Sequence, residues 1–273
     1  MTILLETTLI RHIPVLTFAP TSVYSCPLIF FIPGYGGKKE SALSLGYQLA
    51  SRGFFVVSFD PWLHGERYDP RLDHAAEPAQ SGIYPPATGL DTGMLFFQVI
   101  NHCQADVVSL LDHYSSDPRW DGVHCGVTGL SMGGCASYLI FANLPQVQAA
   151  VPMIGIPCFT QRWLDLLDEC AFSNPDWALA LSKLNEKTVQ QTAFIRQIDP
   201  AEKLQAAAPR ALLMMNNDFD SDQPKHYAIN LYRQLLPHYG TDAEKLRLNI
   251  YPAGHTVTPQ MEQDAVAWFE RWL

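Results

Sequence analysis

Ser131, His255 and a group of carboxylates at positions 218, 220 and 222 are the residues of this 273-residue chain whose types and order suit covalent acyl transfer. A serine hydroxyl is a weak nucleophile until a base lies within hydrogen-bond reach. An imidazole acting as that base needs a carboxylate to hold its tautomer and to stabilise the imidazolium that forms. Ser131 sits in Gly129-Leu130-Ser131-Met132-Gly133, after a strand-like run at 123–127 and before an apolar, helix-like run at 137–142. In that setting Gly-x-Ser-x-Gly makes a sharp turn that presents the hydroxyl at a helix N-terminus, where free N–H groups favour developing negative charge. Gly134, Cys135 and Ala136 keep the first helical turn small enough to pack against the sheet. His255 follows the strand-like run 246–251 through Pro252-Ala253-Gly254, and the carboxylates follow the run 211–215, in Asn216-Asn217-Asp218-Phe219-Asp220-Ser221-Asp222.

A second glycine loop, Pro33-Gly34-Tyr35-Gly36-Gly37, ends the apolar run 27–32. A dinucleotide fingerprint would need glycine where Lys39 stands, and a phosphate-binding P-loop would need glycine at Ile32 and Ser or Thr at Lys39. Both patterns fail. The loop reads either as a plain strand-to-helix turn or as an oxyanion loop, in which the Tyr35 N–H would pair with the Met132 N–H to hold a substrate oxygen. Asp60-Pro61-Trp62-Leu63-His64-Gly65-Glu66-Arg67 forms another turn at the same end of the sheet. His64 precedes the serine and lacks an ordering acid, so it is expected to stabilise its own turn, with Asp60, Glu66 and Arg67 in local ion pairs. The six cysteines show no metal-type spacing and read as buried, reduced thiols.

The elements that must position these groups alternate along the chain. Runs 3–10 and 13–18 read as an opening antiparallel hairpin, and 27–32, 54–59, 123–127, 148–154, 211–215 and 246–251 as further strands. Helical spacing appears at 40–51, with Leu43, Leu45, Leu49 and Ala50 inward, at 95–114, after the serine motif, and at the C-terminus with Val266, Trp268, Phe269 and Trp272 inward. This alternation predicts an α/β fold with a mostly parallel central sheet flanked by helices, with ligands at the carboxyl ends of the strands. One domain over 1–273 is expected, with the unpatterned stretch 68–89 lining or covering the pocket. The surplus between 155 and 210, rich in Trp163, Leu164, Leu166, Leu167, Phe172, Trp177, Leu179 and Leu181, would supply a small helical cap at about 156–205.

Composition sets outer limits. A net charge of −9 without a Lys/Arg run argues against nucleic-acid or anionic-membrane partners. The N-terminus lacks a basic flank and a long apolar segment, and no later stretch reads as a membrane span, so a cytoplasmic location is expected.

Taken together, Pro33-Gly34-Tyr35-Gly36-Gly37, the 60–67 turn, the serine motif, the acid loop and Gly254-His255 carry a resemblance over nearly the whole chain. The chain resembles the small α/β-hydrolase esterases of the dienelactone-hydrolase and prolyl-oligopeptidase-like group, whose triad also runs serine, acid, histidine. In that group the acid sits three residues beyond a glycine that ends its strand. Asn217 occupies the glycine position, which points to Asp220, with Asp218 and Asp222 as alternatives and Pro224 where such loops often carry proline. Pro33 replaces the histidine common before the oxyanion-loop glycine, and Ser131 stands where dienelactone hydrolases carry cysteine. The resemblance therefore implies an esterase acting through an acyl-enzyme on small-molecule esters of small to medium acyl groups. An amidase, peptidase or acyltransferase using the same three residues is the alternative. Neither a metal nor an organic cofactor is required by this chemistry.

Overall fold

Apolar runs covered on both faces form the centre of an eight-stranded sheet in the order β1-β2-β4-β3-β5-β6-β7-β8. Its strands are β1 (Ile3–Ile10), β2 (Ile13–Pro20), β3 (Cys26–Ile32), β4 (Phe55–Phe59), β5 (Trp120–Leu130), β6 (Ala149–Met153), β7 (Ala211–Asn217) and β8 (Leu246–Tyr251). The computed structural model describes residues 2–22, 24–72, 86–173 and 186–273, with side chains in the last two segments described over 93–169 and from 188 onward. The pairs β1/β2 and β2/β4 are antiparallel, and every other neighbouring pair is parallel. The opening antiparallel hairpin is present as expected, closed tightly with Ile10 opposite Ile13.

Side chains alternate between the two faces with period two, and each face has its own core. Leu28, Phe30, Ile32, Val57, Val127, Leu212 and Met214 face one way, against α2 (Pro86–Tyr114), α3 (Met132–Asn143) and α7 (His226–Tyr239). Ile29, Phe31, Val56, Val151, Leu213 and Met215 face the other way, against α1 (Leu43–Ala50) and α8 (Pro259–Trp272). Between β6 and β7 lie α4 (Phe159–Ser173), α5 (Glu186–Ile198) and α6 (Lys203–Ala207). The Asp199 carboxylate accepts the Phe159 and Thr160 N–H groups at 3.3 and 2.8 Å, closing the first turn of α4 from 40 residues away. Trp163 on α4 donates its indole N–H to Thr192 on α5 at 3.0 Å, and packs with Phe159 around Phe97 of α2.

Several expectations shift. The expected helix at 40–51 divides into a 3-10 turn, Lys39–Ala42, and α1, and this places Leu43 on the solvent side at 49% exposure. Glycine rather than leucine then completes the inward face, because Gly46 packs against the Phe18 ring. Residues Gly93–Tyr114 are long and apolar enough to cross a membrane by length and composition, contrary to the sequence reading. Val99, Ile100, Cys103, Val107 and Leu110 among them are spent on the core, while Val108 is exposed. Trp177, Leu179, Leu181 and residues 73–85 lie outside the described residues, as does the Phe172 side chain, so the expected cap and pocket-lining loop are described only in part.

Helix α3 is buried from Met132 to Phe141, as a helix apolar on all sides must be. Its C-terminal carbonyls therefore need an internal partner. Arg210, just before β7, donates to the carbonyls of Phe141, Leu144 and Val147 at 2.6, 3.0 and 2.6 Å, and to that of Ala207 at 3.2 Å. Its guanidinium also lies 4.3 Å from the centre of the Phe141 ring. An Arg210→Ala substitution strips these carbonyls together and is expected to cost about 3 kcal/mol, read as a lowered midpoint in urea unfolding.

Candidate active site

Ser131 joins β5 to α3 with φ 55° and ψ −114°, a left-handed conformation that costs a non-glycine residue roughly 1–3 kcal/mol. The surrounding backbones hold it there. A Cβ on Gly133 would lie 2.0 Å from the Ile32 carbonyl oxygen, and one on Gly129 2.5 Å from that of Gly133, so β3, β5 and α3 meet with no room for side chains. The Ser131 N–H donates to the Met153 carbonyl at 2.9 Å, and the Ser131 carbonyl starts the helix by accepting from Cys135 at 3.0 Å.

His255 and Asp220 arrive from the ends of β8 and β7. Nε2 of His255 lies 2.9 Å from Ser131 Oγ, and Nδ1 lies 2.8 Å from Asp220 Oδ2. The Asp220 side chain is fully buried, and its other oxygen accepts the Asp222 and Gln223 N–H groups, both at 2.9 Å. An ionised carboxylate can only accept, so Nδ1 carries the proton and Nε2 is left to take one from the serine. The competing carboxylates are placed elsewhere: Asp218 pairs with Lys225, and Asp222 is exposed. A ligand atom from each of Asp220, Asp222 and His255 falls within 4.8 Å of the others, but two of these residues already bond to each other. Thus the structure brings together the serine, the histidine and the middle acid of the sequence cluster.

The 33–37 loop lies against the serine. A Cβ on Gly34 would stand 3.6 Å from Ser131 Cβ, and Gly36 turns with φ 74°. Tyr35 follows Gly34, and its ring packs edge-on to His64 at 5.3 Å and beside Phe96 at 5.9 Å. Met132 is the first residue of α3 and is fully buried.

The 60–67 turn corrects the sequence reading. Asp60 is buried, and instead of a local ion pair its carboxylate accepts the Lys39 N–H at 2.7 Å, the Lys39 ammonium at 3.2 Å and the Glu66 N–H at 2.9 Å. Burial works to lower the Lys39 pKa, but hydrogen bonds to Glu66 and Asp60 prevail and hold it above its ordinary value. Arg67 reaches outward in sequence to Asp106 at 2.5 Å. These bonds fasten the turn to the chain just past the 33–37 loop. Gly65 was the available signal, since a Cβ there would lie 2.2 Å from Asp60 Cγ. His64 behaves as expected of a turn residue, with Nδ1 2.8 Å from the Trp62 carbonyl oxygen. Burial pushes its pKa below the ordinary value. Cys135, four residues beyond the serine, is buried, and burial pushes its thiol up to about 12, which keeps it from acting as a thiolate.

No family model matches the chain. It is 25% identical over 248 residues to YitV of Bacillus subtilis, provisionally named an esterase, covering 90% of this chain and 89% of that protein. The solved structure of TT1662 from Thermus thermophilus matches with a TM-score of 0.72 at 21% identity, over 100% of this chain and 98% of that one. An acetyl xylan esterase from Paenibacillus sp. R4 matches with a TM-score of 0.63 at 18% identity, over 100% of this chain and 88% of the other. The fold is that of the α/β-hydrolases.

Because burial lowers the His64 pKa in the folded state, the unfolded chain binds more protons as pH falls below 6.5, and stability drops with it. The stability contributed by the neutral ring is complete above that pH. In His64→Gln, the decline in melting temperature between pH 7 and about pH 5 is expected to be shallower than in the parent.

Proposed function

We propose that this chain is a serine hydrolase that cleaves carboxylic esters of small to medium acyl groups through an acyl-enzyme. The observation that carries the reading is the hydrogen-bonded series Asp220–His255–Ser131, with distances of 2.8 and 2.9 Å, at a strained turn on the carboxyl edge of the sheet. His255 takes the Ser131 proton as Oγ attacks the ester carbonyl, and Asp220 holds the ring and stabilises the imidazolium. The tetrahedral oxyanion is held by the N–H groups of Tyr35 and Met132, the first on the loop beside the serine and the second at the N-terminus of α3. The imidazolium then protonates the leaving alcohol. A water activated by the same ring hydrolyses the acyl-enzyme.

The esterase names borne by YitV and by the Paenibacillus protein support ester over other acyl substrates. In this reading α4 and α5 belong to a small cap, and the Tyr35 and Phe96 rings form an apolar wall beside the oxyanion loop. The free thiols of Cys103, Cys125, Cys135 and Cys158 support a cytoplasmic location.

Ser131→Ala is expected to lower kcat for p-nitrophenyl acetate and butyrate by at least about a thousandfold, and Asp220→Asn by about 10^3- to 10^4-fold. A fluorophosphonate probe should label the parent at Ser131 and abolish turnover, while iodoacetamide leaves turnover intact. Hydrolysis that survives Ser131→Ala would overturn the assignment.

A further inference from the structure

The last residue of β7, Asn217, stands where the resembling esterases carry a glycine, and its side chain does something a glycine cannot. It is fully buried. Its Nδ2 lies 2.5 Å from the Gly254 carbonyl oxygen and 2.7 Å from that of Thr256, the residues immediately before and after His255. Both hydrogens of the amide are thereby used, one on each side of the histidine. The Gly254 carbonyl also accepts the Thr256 N–H at 2.8 Å, so the amide reinforces a turn that already spans His255.

The loop that holds His255 has little else to fix it. None of the residues 252–260 is fully buried; Val257, packed against the core, is the apolar anchor of the segment and lies two residues beyond His255, whose own side chain is 31% exposed. Backbone bonds join the acid loop to the start of this segment, from the Asp218 N–H to Tyr251 at 2.8 Å and from the Phe219 N–H to Ala253 at 3.0 Å. They stop short of His255. Asn217 carries the attachment across it to Thr256, from a rigid strand end three residues before Asp220. Neighbouring Asn216 turns its amide the other way, to the Gly155 carbonyl at 3.3 Å, so the two asparagines serve different loops.

We propose that Asn217 is a positioning residue for His255, clamping the backbone on both sides of the ring so that Nδ1 and Nε2 meet Asp220 and Ser131 together. The inference rests on the esterase reading for its kinetic consequence, but the clamp has signatures of its own. Asn217→Ala removes both donors, and Asn217→Asp removes them at nearly constant volume while adding an acceptor that opposes two carbonyl oxygens.

In both variants kcat for p-nitrophenyl butyrate is expected to fall on the order of 10- to 100-fold, the scale of a misplaced reacting group, while KM stays within about twofold. The low-field proton resonance of His255 Nδ1–H, sharp in the parent, should broaden or vanish in the variants even though their circular dichroism is unchanged. Retained kcat with a sharp resonance would overturn the proposal, as would a lowered melting temperature with kcat retained. If the variants do not fold, proton exchange of the Asn217 side-chain amide in the parent decides: slow exchange supports the clamp, and exchange at the rate of a free amide overturns it. Ser131→Ala separates the two claims. Hydrolysis persisting there sinks the esterase reading and leaves the resonance and exchange tests standing, whereas an inactive Ser131→Ala beside a fully active Asn217→Ala sinks the clamp alone.

Discussion

Backbone packed directly on backbone at Gly129 and Gly133 is the constraint from which the rest of the site follows. The Ile32 carbonyl at the end of β3 occupies space that any side chain at 133 would need, so β3, β5 and the first turn of α3 approach as closely as peptide groups allow. That approach forces Ser131 into its left-handed turn, and the hydrogen bond from its N–H to Met153 holds the turn against the adjoining strand. The strain is local and the surroundings over-determine it, so the hydroxyl is presented in one direction at the end of a buried helix.

Loops at the edge of a sheet bury little apolar surface, and here they are held by polar side chains that reach across sequence to backbone groups. Asp60 gathers the N–H groups of Lys39 and Glu66, Asp220 those of Asp222 and Gln223, and Asp199 those of Phe159 and Thr160. Arg210 and Asn217 apply the same device with donors, to the end of α3 and to the two sides of His255. Asp60, Asp220 and Asn217 lose their hydration but are repaid by several well-placed partners, which is the condition under which burying them is tolerable; Asp199 and Arg210 are only half-buried.

Burial also distinguishes the two partners of the hydrogen-bonded pair Asp220–His255. The Asp220 side chain is sealed from water, and its oxygens face two N–H groups and the imidazole. His255 remains partly exposed, in contrast to the buried carboxylate it bonds to. The dry surroundings of the cysteine four residues beyond the serine disfavour a thiolate there.

Much of this was legible in the linear chain. Period-two alternation and unbroken apolar runs located the strands, because local chain geometry dictates which side chains share a face. The sharp turn at Ser131 and the place of His255 after the final strand followed from glycine spacing and element order. The tertiary structure alone decided what depended on distance through space. It chose Asp220 over Asp218 and Asp222, since carboxylates two residues apart are equivalent until a ring comes within 2.8 Å of one of them. It turned Asp60 from a local ion pair into the partner of Lys39, and it gave Asn217 two carbonyls to hold. Sequence patterns report which groups an element carries and where it turns, whereas hydrogen-bond partners are set by the packing of elements that lie far apart along the chain.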